Sequence, residues 1–126
     1  MNIKSFQNIF YNLNSSEHGL KHWLLQKVTA VLLIPLSLLF VYFFSTVFGE
    51  GHEVVILYFQ NDMVAFLTAC FLVISFLHLK QGLQVVIEDY VHNTLLNIWL
   101  LRIIAWSTRI LSIISIIALG KIALSG

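Results

Sequence analysis

Of the 126 residues, 59% are hydrophobic and only 10% charged, with a formal net charge of +1 and a mean hydropathy of +0.88. A soluble domain carries about 25% charged residues, so this composition excludes an ordinary water-soluble globule and, without any block of basic residues, a nucleic-acid binder. The length suits one domain, and a single cysteine, Cys70 in an apolar run, excludes an intrachain disulfide or a cysteine-rich metal cluster.

Residues 1–21 are polar and mixed. Phe6, Ile9, Phe10 and Leu13 recur at helical spacing there, which predicts a short helix lying on the membrane surface. No small-residue cleavage site follows the first long apolar run, so no secretory signal peptide is expected. After His22-Trp23-Leu24-Leu25-Gln26-Lys27, the run from Val28 to Gly49 carries no charge and is long enough to span a bilayer. The first span is placed at 24–48, with Trp23 as an interfacial anchor and Pro35 as a tolerated, kink-forming residue. Residues 49–62 hold Glu50, Glu53 and Asp62 around a short apolar patch and read as an acidic connecting loop with room for an interfacial turn.

Met63 to Leu79 is again free of formal charge, and the helical pattern continues to Ile87, giving a second span at 63–87. Glu88 to Thr94 reads as a polar connection, and a third span follows at 97–124. Arg102 and Arg109, seven residues apart, fall on nearly one face of it. Arg102 is expected to snorkel to the interface, whereas the deeper Arg109 should face protein or a polar ligand group. The fold class is therefore all-α: an integral membrane protein of three transmembrane helices. Lys4, Lys21, Lys27, Lys80, Arg102 and Arg109 collect towards the N-terminal side, and only Lys121 falls opposite, beside the acidic loop. The positive-inside rule then predicts N-in and C-out.

The stretch from His78 to Tyr90 is the informative one. If it is helical, Asp89 lies within about 20° of His78 and about 16.5 Å along the axis, close to half of a ~30 Å hydrocarbon core. With Asp89 and Tyr90 at a membrane surface, His78 is near the midplane. An ionisable group at that depth needs a partner. It either hydrogen-bonds a neighbouring helix or acts as an axial ligand to a b-type haem, with Gly82 one turn away leaving room for a flat macrocycle. Tyr90 by itself reads as an interfacial belt tyrosine. Asp89 is either a solvated helix-terminal acid or one that orients groups and relays protons.

The run His78-x-x-x-Gly82-x-Gln84-x-x-Ile87-Glu88-Asp89-Tyr90-Val91-His92 resembles the second membrane helix of the hydrophobic membrane anchor of succinate dehydrogenase, respiratory complex II. The stretch His22-Trp23-x-x-Gln26-Lys27-x-Thr29-Ala30, with Pro35 further on, is similar to the start of that family's first helix. The likeness is to the alphaproteobacterial and mitochondrial type. It implies that His78 ligates the iron of haem b, the second axial histidine coming from the companion cytochrome b chain. It also implies that Tyr90 hydrogen-bonds a ubiquinone carbonyl, that Asp89 shapes that site, and that Lys27 and His22 lie near the haem propionates. The family usually has arginine at Lys27; lysine keeps the charge but not the planar, bidentate fork.

As half of a two-chain anchor bundle, the protein would oxidise no succinate itself. The flavin and iron–sulfur chemistry would belong to the soluble flavoprotein and iron–sulfur subunits. The implied location is the bacterial inner membrane, or the mitochondrial one. The rival expectations are a fumarate reductase-type anchor and a small non-redox transporter or assembly protein.

Overall fold

The computed structural model describes residues 2–125, except for the side chains of Phe6 and residues 9–18. Four helices follow one another: α1 (Ile3–Val47), α2 (His52–Phe59), α3 (Asp62–Tyr90) and α4 (Thr94–Leu124). No strand occurs among the described residues. Three segments are long and apolar enough to cross a membrane: Gly19–Val47 within α1, all of α3 and all of α4. This agrees with the expected all-α, three-span class.

Three details differ from the sequence expectation. The polar N-terminal segment is not a separate helix, because α1 runs unbroken from Ile3 and passes through Pro35. The expected stripe of Phe6, Ile9, Phe10 and Leu13 lies outside the described side chains. The turn expected in the acidic connection is longer than one turn, since its apolar patch closes into the two turns of α2. Finally, α3 extends through Tyr90, so the polar connection shrinks to residues 91–93 and the Asp89-Tyr90 pair belongs to the last helical turn.

Local chemistry explains where the helices stop. Gly49 takes a positive φ of 85° after α1, a conformation that costs glycine little. Asn61 Oδ1 accepts hydrogen bonds from the backbone N–H of Met63 and Val64, capping α3. Asn93 Oδ1 does the same for Leu95 and Leu96 at the start of α4. Asn97 Nδ2 then reaches back across the connection to donate to the carbonyls of Ile87 and Val91. These bonds pin the end of α3, and therefore Asp89 and Tyr90, to the start of α4. Replacing Asn93 with alanine is expected to destabilise this corner by about 1 kcal/mol. Hydrogen exchange should quicken at Leu95 and Leu96 and stay unchanged in the second half of α4.

The three long helices lie in a row. Among the described residues α3 packs against α1 on one flank and α4 on the other, and α1 and α4 do not touch. Phe40 of α1 stacks on Phe71 of α3 with centroids 4.6 Å apart, and Phe43 meets Tyr58 of α2 edge-on. A row of helices encloses little. The buried apolar residues are Phe43, Val47, Val64, Ala65 and Ile87, while large side chains such as Leu38, Phe66, Ile103 and Ile117 face outward. Outward apolar faces of this kind need lipid or another membrane chain as solvent.

Candidate functional site

The deepest polar cluster sits where α1 meets α3. Thr29 is 3% exposed and Gln81 also 3%, both unusual for polar side chains unless they are hydrogen-bonded. Thr29 Oγ1 lies 2.9 Å from His78 Nδ1. It is also 2.9 Å from the Leu25 carbonyl, 3.0 Å from that of Gln26 and 3.4 Å from Gln81 Oε1. Gln81 Nε2 is buried without a partner. His78 itself is half-buried, and its Nε2 makes no hydrogen bond among the described residues. Only one edge of the imidazole is therefore tied to this chain.

The antiparallel register of α1 and α3 carries this site towards the connection after Tyr90. Seven residues before Thr29 comes His22, and it lines a groove of about 480 Å³ with Gly19, Lys21, Leu25, Gln84 and Glu88. His22 Nε2 is buried there without a partner among the described residues, and Gln84 Nε2 donates to Glu88 Oε1 at 3.0 Å. Lys27 is exposed and stands two residues from Thr29, about 200° round the helix. It faces away from the His78 contact. The fold thus brings His22 into the α1–α3 groove and leaves Lys27 outside it.

Asp89 and Tyr90 are exposed, Tyr90 to 77%, and neither side chain has a hydrogen-bond partner among the described residues. They share α3 with His78 without touching it. Gly82 also faces open space, since a Cβ there would meet nothing within 4 Å. Packing inside this chain does not require a glycine at that position.

On the other flank of α3, Lys80 and Arg109 line a groove of about 450 Å³ with Val73, Leu77, Thr108, Ser112 and Ile113, and no acid lies in that lining. The Arg109 guanidinium sits 5.7 Å over the Trp106 ring, within cation–π reach. Arg102 lies along the exposed face of α4 between Trp99 and Trp106. Among the described residues, no three His, Cys, Asp or Glu side chains gather as a metal site; His78 could offer only a single ligand. Sequence reasoning missed the roles of Thr29 and Gln81. A glutamine three residues after a histidine in so apolar a helix was the available signal.

Three apolar spans with extensive outward apolar faces define a small multi-pass membrane protein. A family model described as succinate dehydrogenase/fumarate reductase transmembrane subunit matches residues 8–119. The chain belongs to that family, as a membrane anchor working with the other subunits of the enzyme. It is 33% identical to a succinate dehydrogenase hydrophobic membrane anchor subunit of Rickettsia bellii, over 85% of this chain and 82% of that one. It is 31% identical to a succinate dehydrogenase membrane anchor subunit of Reclinomonas americana, over 71% of this chain and 80% of that one. A Paracoccus denitrificans succinate dehydrogenase anchor is 31% identical over 62% of this chain and 60% of its own length. No solved structure matches significantly. Family membership sets aside the transporter and assembly-protein readings.

Proposed function

We propose that this chain is one half of the membrane anchor of a succinate:ubiquinone oxidoreductase, binding haem b jointly with a companion cytochrome b chain and helping to form the ubiquinone reduction site. The observation that carries the reading is the Thr29–His78 contact. A histidine that binds a metal through one nitrogen ordinarily has its other nitrogen held by a protein group, and His78 has Nδ1 so held with Nε2 left over. Gly82, one turn on, leaves open space, with nothing among the described residues within 4 Å of where a Cβ would stand. The residues present therefore fit a haem that His78 would hold through Nε2, the companion chain supplying what this chain lacks. When bound, the haem supplies a one-electron carrier inside the membrane.

This chain's residues hold and orient. His22, with its buried free Nε2, is the better placed donor for a propionate, while Lys27 serves that role only from the opposite flank of α1. Tyr90 donates its phenolic hydrogen to a ubiquinone carbonyl and stabilises the charge that builds on the oxygen. Asp89 beside it orients polar groups or relays protons from water. In the N-in orientation of the basic residues, these two face the cytoplasm or matrix. The iron–sulfur and flavoprotein subunits would dock on that side, at a bacterial inner membrane or its mitochondrial equivalent.

Replacing His78 with leucine in the whole complex tests the haem assignment. The low-spin b-type spectrum should disappear or change, and any remaining haem should show a shifted midpoint potential, because histidine variants can recruit substitute ligands. A reduced-minus-oxidised spectrum and a potential identical to those of the parent complex would remove His78 from the site.

A further inference from the structure

The cluster around Thr29 assigns a proton as well as a contact. A threonine hydroxyl has one hydrogen to donate and two lone pairs to accept with. The two nearest acceptors are carbonyls of its own helix, Leu25 at 2.9 Å and Gln26 at 3.0 Å, and back-bonding of this kind is common for threonine in helices. With the single hydrogen on these carbonyls, the oxygen accepts from His78, which puts the imidazole hydrogen on Nδ1 and leaves Nε2 its lone pair. The same logic bears on Gln81. Its Oε1 beside an accepting oxygen 3.4 Å away is a mismatch, and its Nε2 has no partner. A half-turn of the amide, which exchanges two atoms of nearly equal size, lets Nε2–H donate to the second lone pair of Thr29. The orphan is then an acceptor, which proteins leave unpaired more readily than a donor.

We propose that Thr29, backed by Gln81, is the positioning residue for His78: its hydroxyl accepts the Nδ1–H, fixing the ring orientation and the tautomer whose Nε2 lone pair is free to bind iron. The proposal rests on the haem reading above. Its effect on the iron has a definite sign. A hydrogen bond accepted from Nδ1–H makes the imidazole a stronger donor and so favours the ferric form. Losing it should raise the midpoint potential.

The test uses the whole complex carrying Thr29→Val, which keeps shape and deletes the hydroxyl, beside Thr29→Ser, which keeps the hydroxyl and deletes a methyl. Redox titration followed by visible absorbance and the ferric low-spin EPR signal are the readouts. In Thr29→Val the ratio of reduced to oxidised haem at a fixed ambient potential should rise about threefold to tenfold, tenfold corresponding to about 59 mV for one electron. Haem retention during washing should fall about tenfold, as for other losses of a ligand's supporting hydrogen bond. Thr29→Ser should restore the potential and the EPR signal. Failure of the valine variant to assemble, with the serine variant normal, also supports a requirement for the hydroxyl. Parent-like potential and EPR signal in Thr29→Val would overturn the proposal, as would equal shifts in both variants. If haem is lost in His78→Leu but unchanged in Thr29→Val, the ligand assignment stands and the positioning role falls. If haem is unchanged in both, the haem reading itself fails.

Discussion

Expressed without its companion subunits, the chain should be degraded or aggregate rather than accumulate as a monodisperse protein. Lipid can cover its outward leucines and isoleucines, but it offers nothing to Lys80, Arg109 or the free edge of His78. A cation at the centre of a lone helix costs about 2.5–3.5 kcal/mol on insertion scales. The α3–α4 groove gathers two cations in a lining without an acid. Snorkelling relieves part of that cost, and the indole of Trp106 under Arg109 relieves a little more. The row arrangement adds to the problem, because α3 is the only long helix with protein on both flanks. Pulse-chase labelling with and without the companion subunits measures the outcome directly. A stable, homogeneous single chain in detergent, with unchanged helicity, would show that the fold is self-sufficient.

Much of the architecture was legible because charge is so scarce. The charge-free stretches 28–49 and 63–79, and a third apolar stretch interrupted only by Arg102 and Arg109, mark where a chain can sit in hydrocarbon and leave few alternatives. The ends were harder. Nothing before Gly19 breaks the helix, because no glycine or proline stands between Ile3 and His18, so a polar segment joins α1 although its composition suggests a boundary. The order of the helices was not legible either. A helix that is apolar all round presents no single stripe from which a neighbour can be inferred.

The site divides in the same way. His78 and Asp89 announce themselves as polar groups on one face of a single helix, with Tyr90 next to the acid. Thr29 does not, because one threonine in an apolar run normally satisfies itself on its own carbonyls, and its partner is 49 residues away. Gly82 was legible as an open position, and the fold gives it no internal neighbour. Lys27 shows the limit of motif spacing. Its place in the first helix matches the resemblance, yet the rotation that aims Thr29 at His78 turns Lys27 outward.

Replacing Tyr90 with phenylalanine should lower quinone reductase activity by about tenfold or more while leaving the complex intact. Tyr90 is 77% exposed at the end of α3, and the corner that holds it depends on Asn93 and Asn97 rather than on its hydroxyl. Deleting that oxygen therefore removes almost no internal contact. A tenfold loss corresponds to about 1.4 kcal/mol of barrier, the scale of one hydrogen bond, and bonds to developing charge are worth more. Haem content and yield should stay near normal. Succinate oxidation by a soluble dye that accepts electrons upstream of the membrane should survive as well, because on the proposed reading the flavin and clusters would belong to other chains. Comparing the two assays separates chemistry from folding: a selective fall in the quinone assay places the Tyr90 hydroxyl on the quinone, whereas equal falls in both would make Tyr90 a structural residue of the interface between chains.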